Sequence, residues 1–126
     1  KVLGICLGMQ LLCSSSEEGN IKEGLNFLNL KITKFKSKNI KIPHIGFNFV
    51  KNHNFSLLKG VKKNYFYFAH SYAAKKQTIK NINFLECEYG EKFFAGVEKE
   101  NIYGLQFHPE KSQSNGIKVL ENFYKI

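Results

Sequence analysis

The sequence has few of the residues that mark several protein classes, and each shortage excludes something. Three cysteines occur in 126 residues, at positions 6, 13 and 87, with no Cys-x-x-Cys pair and no histidine at metal-ligand spacing. We therefore predict no disulfide framework, no zinc site and no cofactor, with Cys13 and Cys87 as small buried residues. No run of eighteen apolar residues and no basic-then-apolar leader occurs in these residues. Nothing indicates a membrane or secretion, and we expect a cytoplasmic location.

Acidic residues are also scarce, at 10 against 19 basic ones, which gives a net charge of +9. Such a charge suits an anionic partner, so nucleic acid must be considered. The lysines are spread along the chain, however, with no recognition helix or glycine-aromatic RNA motif among them. We predict a solvated lysine-rich surface and no nucleic acid, while attraction to a phosphate-bearing substrate or an acidic protein stays open. With 43% apolar residues the chain can form the core of one domain.

A short stretch near the start, Gly4-Ile5-Cys6-Leu7-Gly8, has the pattern of a nucleophile elbow. In such an elbow a strand turns sharply into a helix, and glycines two positions either side leave room for the strained nucleophile. The position of Cys6 over the first turn of a helix predicted for Leu7–Cys13 favours the thiolate. The backbone N–H of Leu7 is predicted as one oxyanion donor. Taken alone, the pentapeptide fits a glycine-flanked turn with a buried cysteine equally well.

The remaining pattern predicts a chain rich in strands. Alternating or continuous apolar stretches predict strands over residues 24–35, 42–48, 65–69, 82–89, 93–98 and 102–107. The stretch 65–69 is apolar on both faces, which is typical of a central strand. Residues 14–20 are predicted to form a loop. Apolar residues at helical spacing near the end predict an amphipathic helix packed on the sheet: Ile117, Leu120, Phe123 and Tyr124.

A cysteine nucleophile that acts on an acyl group needs a base and a group that orients the base. His108 and Glu110 fit these roles, because they follow a predicted strand end and Pro109 between them stiffens the backbone. Three other histidines compete. His53 lies in a polar stretch and is predicted to be solvated, while His44 and His70 fit hydrogen-bond donors at strand ends.

At this point the sequence resembles a known family. Gly-Ile-Cys-Leu-Gly-Met-Gln-Leu-Leu (4–12) and Gly-Leu-Gln-Phe-His-Pro-Glu-Lys-Ser (104–112) resemble the signature segments of class I, triad-type glutamine amidotransferases. Residues 43–48 and 65–72 resemble its subfamily of glutaminase subunits of imidazole glycerol phosphate synthase, called HisH. The resemblance implies an α/β, flavodoxin-like three-layer fold with a mostly parallel sheet, incomplete at the N-terminus. Residues 1–126 would be the C-terminal portion of a single glutaminase domain.

The resemblance also implies roles for individual residues. Cys6 would be the nucleophile, His108 the acid/base and Glu110 its orienter, while Gln10 and the segment His70-Ser71-Tyr72 would hold glutamine. The ammonia would pass to a (β/α)8-barrel cyclase subunit, in a heterodimer that makes imidazole glycerol phosphate and AICAR for histidine biosynthesis. The implied interface with that subunit comprises Pro43, His44, Ile45, Phe47, Asn48 and Lys111.

Two departures from the family pattern leave alternatives open. Ile45 stands where the family has methionine and Phe47 where it has tryptophan, so a barrel partner that amidates a surface sugar is a second hypothesis. A catalytically silent interaction subunit is a third, which the intact Cys6, His108 and Glu110 disfavour. The family also has a segment ahead of the elbow that supplies the second oxyanion donor. We expect residues 1–126 alone to have a bare sheet edge, low solubility and no glutaminase activity.

Overall fold

A computed structural model describes residues 1–19 and 22–126. Its helices and strands run, in chain order, β1 Val2–Ile5, α1 Leu7–Leu12, β2 Cys13–Ser16, β3 Leu28–Lys34, β4 His44–His53, β5 Tyr65–His70, β6 Tyr72–Ala74, β7 Asn83–Tyr89, β8 Glu91–Lys99, β9 Ile102–Leu105 and α2 Gln113–Lys125. Short 3₁₀ turns cover Ser56–Leu58 and Pro109–Lys111. None of the helices in the described part of the chain has the length and apolar character needed to cross a membrane.

The strands form two sheets. The larger has the order β1-β9-β8-β7-β4-β5, and the smaller has the order β2-β3-β6. In the larger sheet β1 and β9 are parallel, and the other neighbours are antiparallel. The α/β class is confirmed, but pairing within the described residues is mainly antiparallel rather than mostly parallel. One reason is that Gly90 alone separates β7 from β8, and so short a connection joins only antiparallel strands.

The larger sheet is covered on both faces, which gives the three layers that were predicted. Along β8, Phe93 and Ala95 belong to one core, which Val119 of α2 completes, whereas Phe94 and Val97 belong to a second core. The second core is completed by residues of α1 and β3: Met9, Leu12, Leu28, Leu30 and Ile32. Every one of these residues is buried. The inward alternation of Leu28, Leu30 and Ile32 therefore agrees with the sequence pattern.

Two sequence-based expectations about the elements were wrong, and a third was only partly correct. Strand β5, predicted to be central, lies at the edge of the larger sheet, and its burial alternates along the strand. Part of the predicted loop at 14–20 is instead strand β2, and Asn20 lies outside the described residues. In α2 the predicted apolar face is only partly correct, because Ile117 is 59% and Tyr124 84% exposed. Gly116 and Val119 are the buried residues of the helix, and the predicted Phe123 packs on Tyr103 with ring centres 5.6 Å apart.

Candidate active site

The turn between β1 and α1 has the geometry of a nucleophile elbow. Cys6 has φ 51° and ψ −109°, a strained conformation for a residue with a side chain. A Cβ at Gly4 would lie 2.6 Å from the carbonyl carbon and oxygen of Gly8, so only glycine fits position 4. Position 8 differs from the prediction, because a Cβ there would meet no described atom within 4 Å. The elbow therefore depends on Gly4 for its close packing.

Cys6 is partly exposed, and two opposing influences act on its thiol. Burial raises the pKa of Cys6 above its ordinary value, while the backbone N–H of Leu7 lowers it by hydrogen bonding. Burial is the larger influence, so the Leu7 N–H at the helix start favours the thiolate as expected but does not bring the pKa below its ordinary value. Helix α1 spans only Leu7–Leu12, which limits its dipole. A base that removes the thiol proton is therefore needed.

Strand pairing brings the predicted base to the same end of the parallel β1–β9 pair as Cys6. Ile5 lies opposite Leu105 in the parallel β1–β9 pair, and the backbone N–H of Cys6 donates to the carbonyl of Leu105 over 2.7 Å. His108 follows Leu105 by three residues. Its Nδ1 lies 2.7 Å from Oε1 of Glu110. A carboxylate only accepts hydrogen bonds, so Nδ1 of His108 carries the proton and Nε2 is left to act as a base.

The turn that carries His108 is fastened to strand β5 and to α2. The N–H of His108 donates to the carbonyl of Tyr67 over 2.9 Å. The buried hydroxyl of Ser112 donates to the carbonyl of His108 over 2.7 Å and accepts from the N–H of Tyr67 over 2.9 Å. A Cβ at Gly116 would overlap the carbonyl oxygen of Pro109, so α2 lies directly on this turn. These contacts fix the backbone on both sides of the imidazole.

A pair of buried glutamines lies behind Cys6. Gln10, on α1, donates through Nε2 to the carbonyl of Tyr72 and to Oε1 of Gln106, each over 3.4 Å. Gln106 in turn donates through Nε2 towards Sγ of Cys6 over 3.8 Å. Oε1 of Gln10 is buried and has no hydrogen-bond partner among the described residues. Sequence reasoning missed Gln106, although an amide between Leu105 and Phe107 was a signal, since a buried amide needs partners.

His70 and His44 have both ring nitrogens engaged within the protein. Nδ1 of His70 lies 2.8 Å from the carbonyl of Tyr72, and Nε2 lies 2.9 Å from Nδ1 of His44. Nε2 of His44 lies 3.3 Å from Nδ2 of Asn48. Burial lowers the pKa of each histidine to about 4. The His70 ring is thus fully engaged within the protein, and glutamine binding by the His70-Ser71-Tyr72 segment stays a prediction that falls to the half-buried Ser71 and Tyr72.

The predicted interface residues divide between two faces of β4. Ile45 and Phe47 are 62% and 50% exposed, and Pro43 is also exposed. His44 is 3% exposed and points inward, which contradicts its predicted place at a partner interface. Asn48 is partly buried, because its amide bonds His44 and the carbonyl of Glu88.

We call the exposed side of the β4–β5 pair the outer face, comprising Ile45, Phe47, Phe49, Tyr65 and Tyr67 with Lys111. Nζ of Lys111 lies 5.7 Å from the centre of the Tyr67 ring, which also contacts Phe47 at 5.6 Å between ring centres. Two strands thus present a row of aromatic and aliphatic side chains beside the His108 turn. An exposed apolar patch of this kind is typical of a protein–protein interface.

Comparison with known proteins identifies the family of this chain. The family description "Glutamine amidotransferase class-I" matches residues 1–126, so the chain belongs to the class I glutamine amidotransferase family. Among curated relatives, "Imidazole glycerol phosphate synthase subunit HisH 2" of Methanococcus maripaludis is 51% identical over 98% of this chain. The HisH subunits of Methanosarcina barkeri and Escherichia coli K12 are 44% and 42% identical, over 97% and 99% of the chain. This chain spans 62%, 61% and 63% of those three relatives, respectively.

Solved structures share the fold at lower sequence identity. A glutamine amidotransferase crystal structure superposes with a TM-score of 0.63 at 14% identity, covering 97% of this chain and 60% of that one. A glutamine amidotransferase of Thermotoga maritima gives 0.58 at 19% identity, covering 98% and 46%. At these identities the likeness supports the fold alone.

Proposed function

We propose that this chain carries the glutaminase centre of a HisH-type subunit, which hydrolyses glutamine to glutamate and ammonia. The observation that carries the proposal is the His108–Glu110 pair at 2.7 Å, placed after β9, which pairs with the strand that leads into Cys6. A nucleophile, a base and an orienting carboxylate thereby come from two neighbouring parallel strands.

In the proposed mechanism Nε2 of His108 removes the thiol proton of Cys6, and the thiolate attacks the side-chain amide carbon of glutamine. The raised pKa of the thiol makes this proton transfer necessary. The Leu7 N–H donates to the oxyanion of the tetrahedral intermediate. His108 then protonates the leaving nitrogen, which departs as ammonia, and afterwards activates the water that hydrolyses the thioester to glutamate. Glu110 accepts the hydrogen bond from Nδ1 of His108 throughout.

The glutamine substrate is assigned to the space around the elbow. Gln10 reaches this space through Gln106, whose Nε2 lies 3.8 Å from Sγ of Cys6. Backbone groups of Ser71 and Tyr72 lie on the turn that the Gln10 amide contacts. These features support a small amide-bearing amino acid as the substrate.

For the partner we propose a (β/α)8-barrel cyclase that docks on the outer face and receives the ammonia, forming imidazole glycerol phosphate and AICAR in the cytoplasm. The exposed Ile45 and Phe47 support a protein partner, and the relatives named above are described as synthase subunits. A barrel that amidates a surface sugar would use the same glutaminase chemistry. Ammonia transfer measured with each candidate barrel distinguishes the two acceptors.

The decisive experiment replaces Cys6 by alanine in the full-length protein assembled with its barrel partner. Glutamine-dependent synthesis should disappear, whereas synthesis with added ammonia should persist, because only the ammonia source needs the thiol. Cys87→Ala is the matched control, since Cys87 is a buried cysteine remote from the elbow in sequence, and it should retain both activities. Glutamine-dependent turnover by Cys6→Ala would show that the proposal is wrong.

A further inference from the structure

The structure contains a chain of buried and partly buried hydrogen bonds, which we call the relay, that the mechanism above does not use. It begins at Asn48 on β4, runs through His44 and His70, and ends at the carbonyl of Tyr72. The same carbonyl accepts from Gln10, which contacts Gln106 behind Cys6. The chain thus connects the strand that bears the outer face with the side chains around the proposed nucleophile.

We infer that His44 and His70 are positioning residues, which hold the Tyr72 carbonyl and through it the Gln10 amide in place for glutamine. The inference rests on the proposed glutaminase function for its kinetic consequences, although its structural content does not depend on it.

The direction of each hydrogen bond follows from the groups at the two ends. The Tyr72 carbonyl only accepts, so Nδ1 of His70 carries the hydrogen and Nε2 of a neutral ring is an acceptor. That acceptor requires the hydrogen of His44 to be on Nδ1, which leaves Nε2 of His44 to accept from the Asn48 amide. Both rings are therefore neutral Nδ1–H tautomers. No other assignment of two neutral rings satisfies all three contacts.

The surroundings hold the two rings in this arrangement. His44 stacks between Phe68 and Tyr89, with ring centres 4.8 and 4.0 Å away and interplanar angles of 18° and 17°. His70 has Phe35 and Phe93 at 5.3 and 5.2 Å. Rings packed on both sides cannot rotate freely, so displacement of one ring requires displacement of the next. Because the two rings are held in this way, the relay can fix the position of the Tyr72 carbonyl at its far end.

The position of the chain makes it suitable for coupling a partner to the site. Ile45 and Phe47 face outward from β4, whereas His44 faces inward. A protein docked on the outer face therefore contacts the strand that also carries His44 and Asn48 of the relay. A small shift of β4 would reach the Tyr72 carbonyl through two rings. A contiguous network of this kind is one route by which energetic coupling travels between two sites, and a measured coupling is its evidence.

The test compares His70→Leu and His44→Leu with Phe55→Leu in the full-length protein assembled with its partner. Phe55 is equally buried and is not among the rings that pack on either histidine within the described residues, so Phe55→Leu controls for loss of packing. We expect the histidine variants to raise the KM for glutamine by about tenfold, with ammonia-dependent turnover unchanged, and the Phe55 variant to leave KM near the wild-type value. His70→Gln, which keeps one donor and one acceptor, should recover part of the loss.

A second measurement does not require glutaminase activity. Imidazole ¹⁵N spectra of the wild-type protein should show a protonated Nδ1 and an unprotonated Nε2 on both His44 and His70, and the side-chain amide signal of Gln10 should shift in His44→Leu but not in Phe55→Leu. An Nε2–H tautomer on either ring would overturn the inference, as would equal KM values in the histidine and phenylalanine variants. If the wild-type protein lacked glutaminase activity the proposed function would fail, and the Gln10 signal would still decide the relay.

Discussion

Histidines in two regions of this molecule have opposite surroundings. The His44–His70 pair is buried among aromatic rings, uses every ring nitrogen internally and has its pKa lowered to about 4. His108 is 20% exposed at its side chain and pairs with the exposed carboxylate of Glu110. One residue type thus serves as a neutral structural group in the core and as a candidate proton carrier at the sheet edge. Burial and the nearest acceptor decide which role each histidine takes.

The largest effect should come from His108→Gln, which removes the proposed base while leaving a polar side chain. Glutamine-dependent activity should fall by about 10³-fold or more, because a thiol with a raised pKa has lost its proton acceptor. The free energy of unfolding should change by less than about 1 kcal/mol, since the pair with Glu110 is partly exposed. Steady-state kinetics and urea unfolding measure both quantities. A loss of stability that accounts for the lost activity would place His108 with the structural histidines.

Replacement of Glu110 by glutamine should have a smaller effect. The carboxylate orients His108 without taking part in bond formation, so the activity loss should be roughly 10- to 100-fold smaller than for His108→Gln. Kinetics of the two variants side by side provide the comparison. Equal losses would mean that Glu110 does more than orient the ring.

The pH dependence of stability should reveal the two buried histidines. Their folded pKa of about 4 lies below the ordinary value of 6.5, so between these values the unfolded chain binds more protons. Stability is therefore fully present above pH 6.5 and is lost as the pH falls towards 4, by up to about 1.4 kcal/mol per pH unit for each proton. Charge on one ring opposes charge on the other, and Lys75 adds to this near His70.

Urea unfolding from pH 7 to pH 4.5, with ring-proton NMR of the folded state, measures this effect. The ring signals of His44 and His70 should stay constant down to about pH 5. Titration of either ring near its ordinary value would remove the distinction between the two regions.

A smaller effect is expected from Ser112→Ala, which sharpens the picture of how His108 is held. The change removes the hydroxyl that accepts from the half-buried N–H of Tyr67 and donates to the carbonyl of His108, at a cost of about 1–3 kcal/mol. The exposed neighbour Ser114 offers a control, since Ser114→Ala should alter stability by less than about 0.5 kcal/mol. Thermal unfolding compares the variants. Indistinguishable curves would mean that the turn is held by its other contacts.

Local sequence patterns predicted the parts of the fold that depend on short stretches. The elbow, helix α1, the inward residues of β3 and the β7–β8 pair all follow from periodicity and glycine placement. The contact of His108 with Glu110 likewise follows from their spacing around Pro109. Each of these features is decided within a few residues of the chain.

Features set by tertiary packing could not be predicted. The apolar content of β5 is typical of a central strand, but the strand lies at a sheet edge, where Tyr65 and Tyr67 contribute to the outer face. The raised pKa of the Cys6 thiol depends on atoms brought around it by distant elements. The contact of Gln106 with Gln10 depends on the packing of α1 against β9, which no short stretch of sequence specifies. The sequence pattern reflects local preference, whereas burial and the choice of hydrogen-bond partners depend on how the whole chain packs.

The close contact of Gly116 with Pro109 has a consequence for the evolution of this protein. Any side chain at position 116 would displace the helix from the turn that carries His108, so natural variation there should be as restricted as at the nucleophile. Gly4 is under the same restriction at the other end of the site. A saturation mutagenesis screen scored on activity alone would thus find Gly4 and Gly116 as intolerant of substitution as Cys6 and His108, although glycine has no reactive group. A parallel screen scored on protein abundance would separate them, since tolerance at Gly4 and Gly116 is limited by space and tolerance at Cys6 by chemistry.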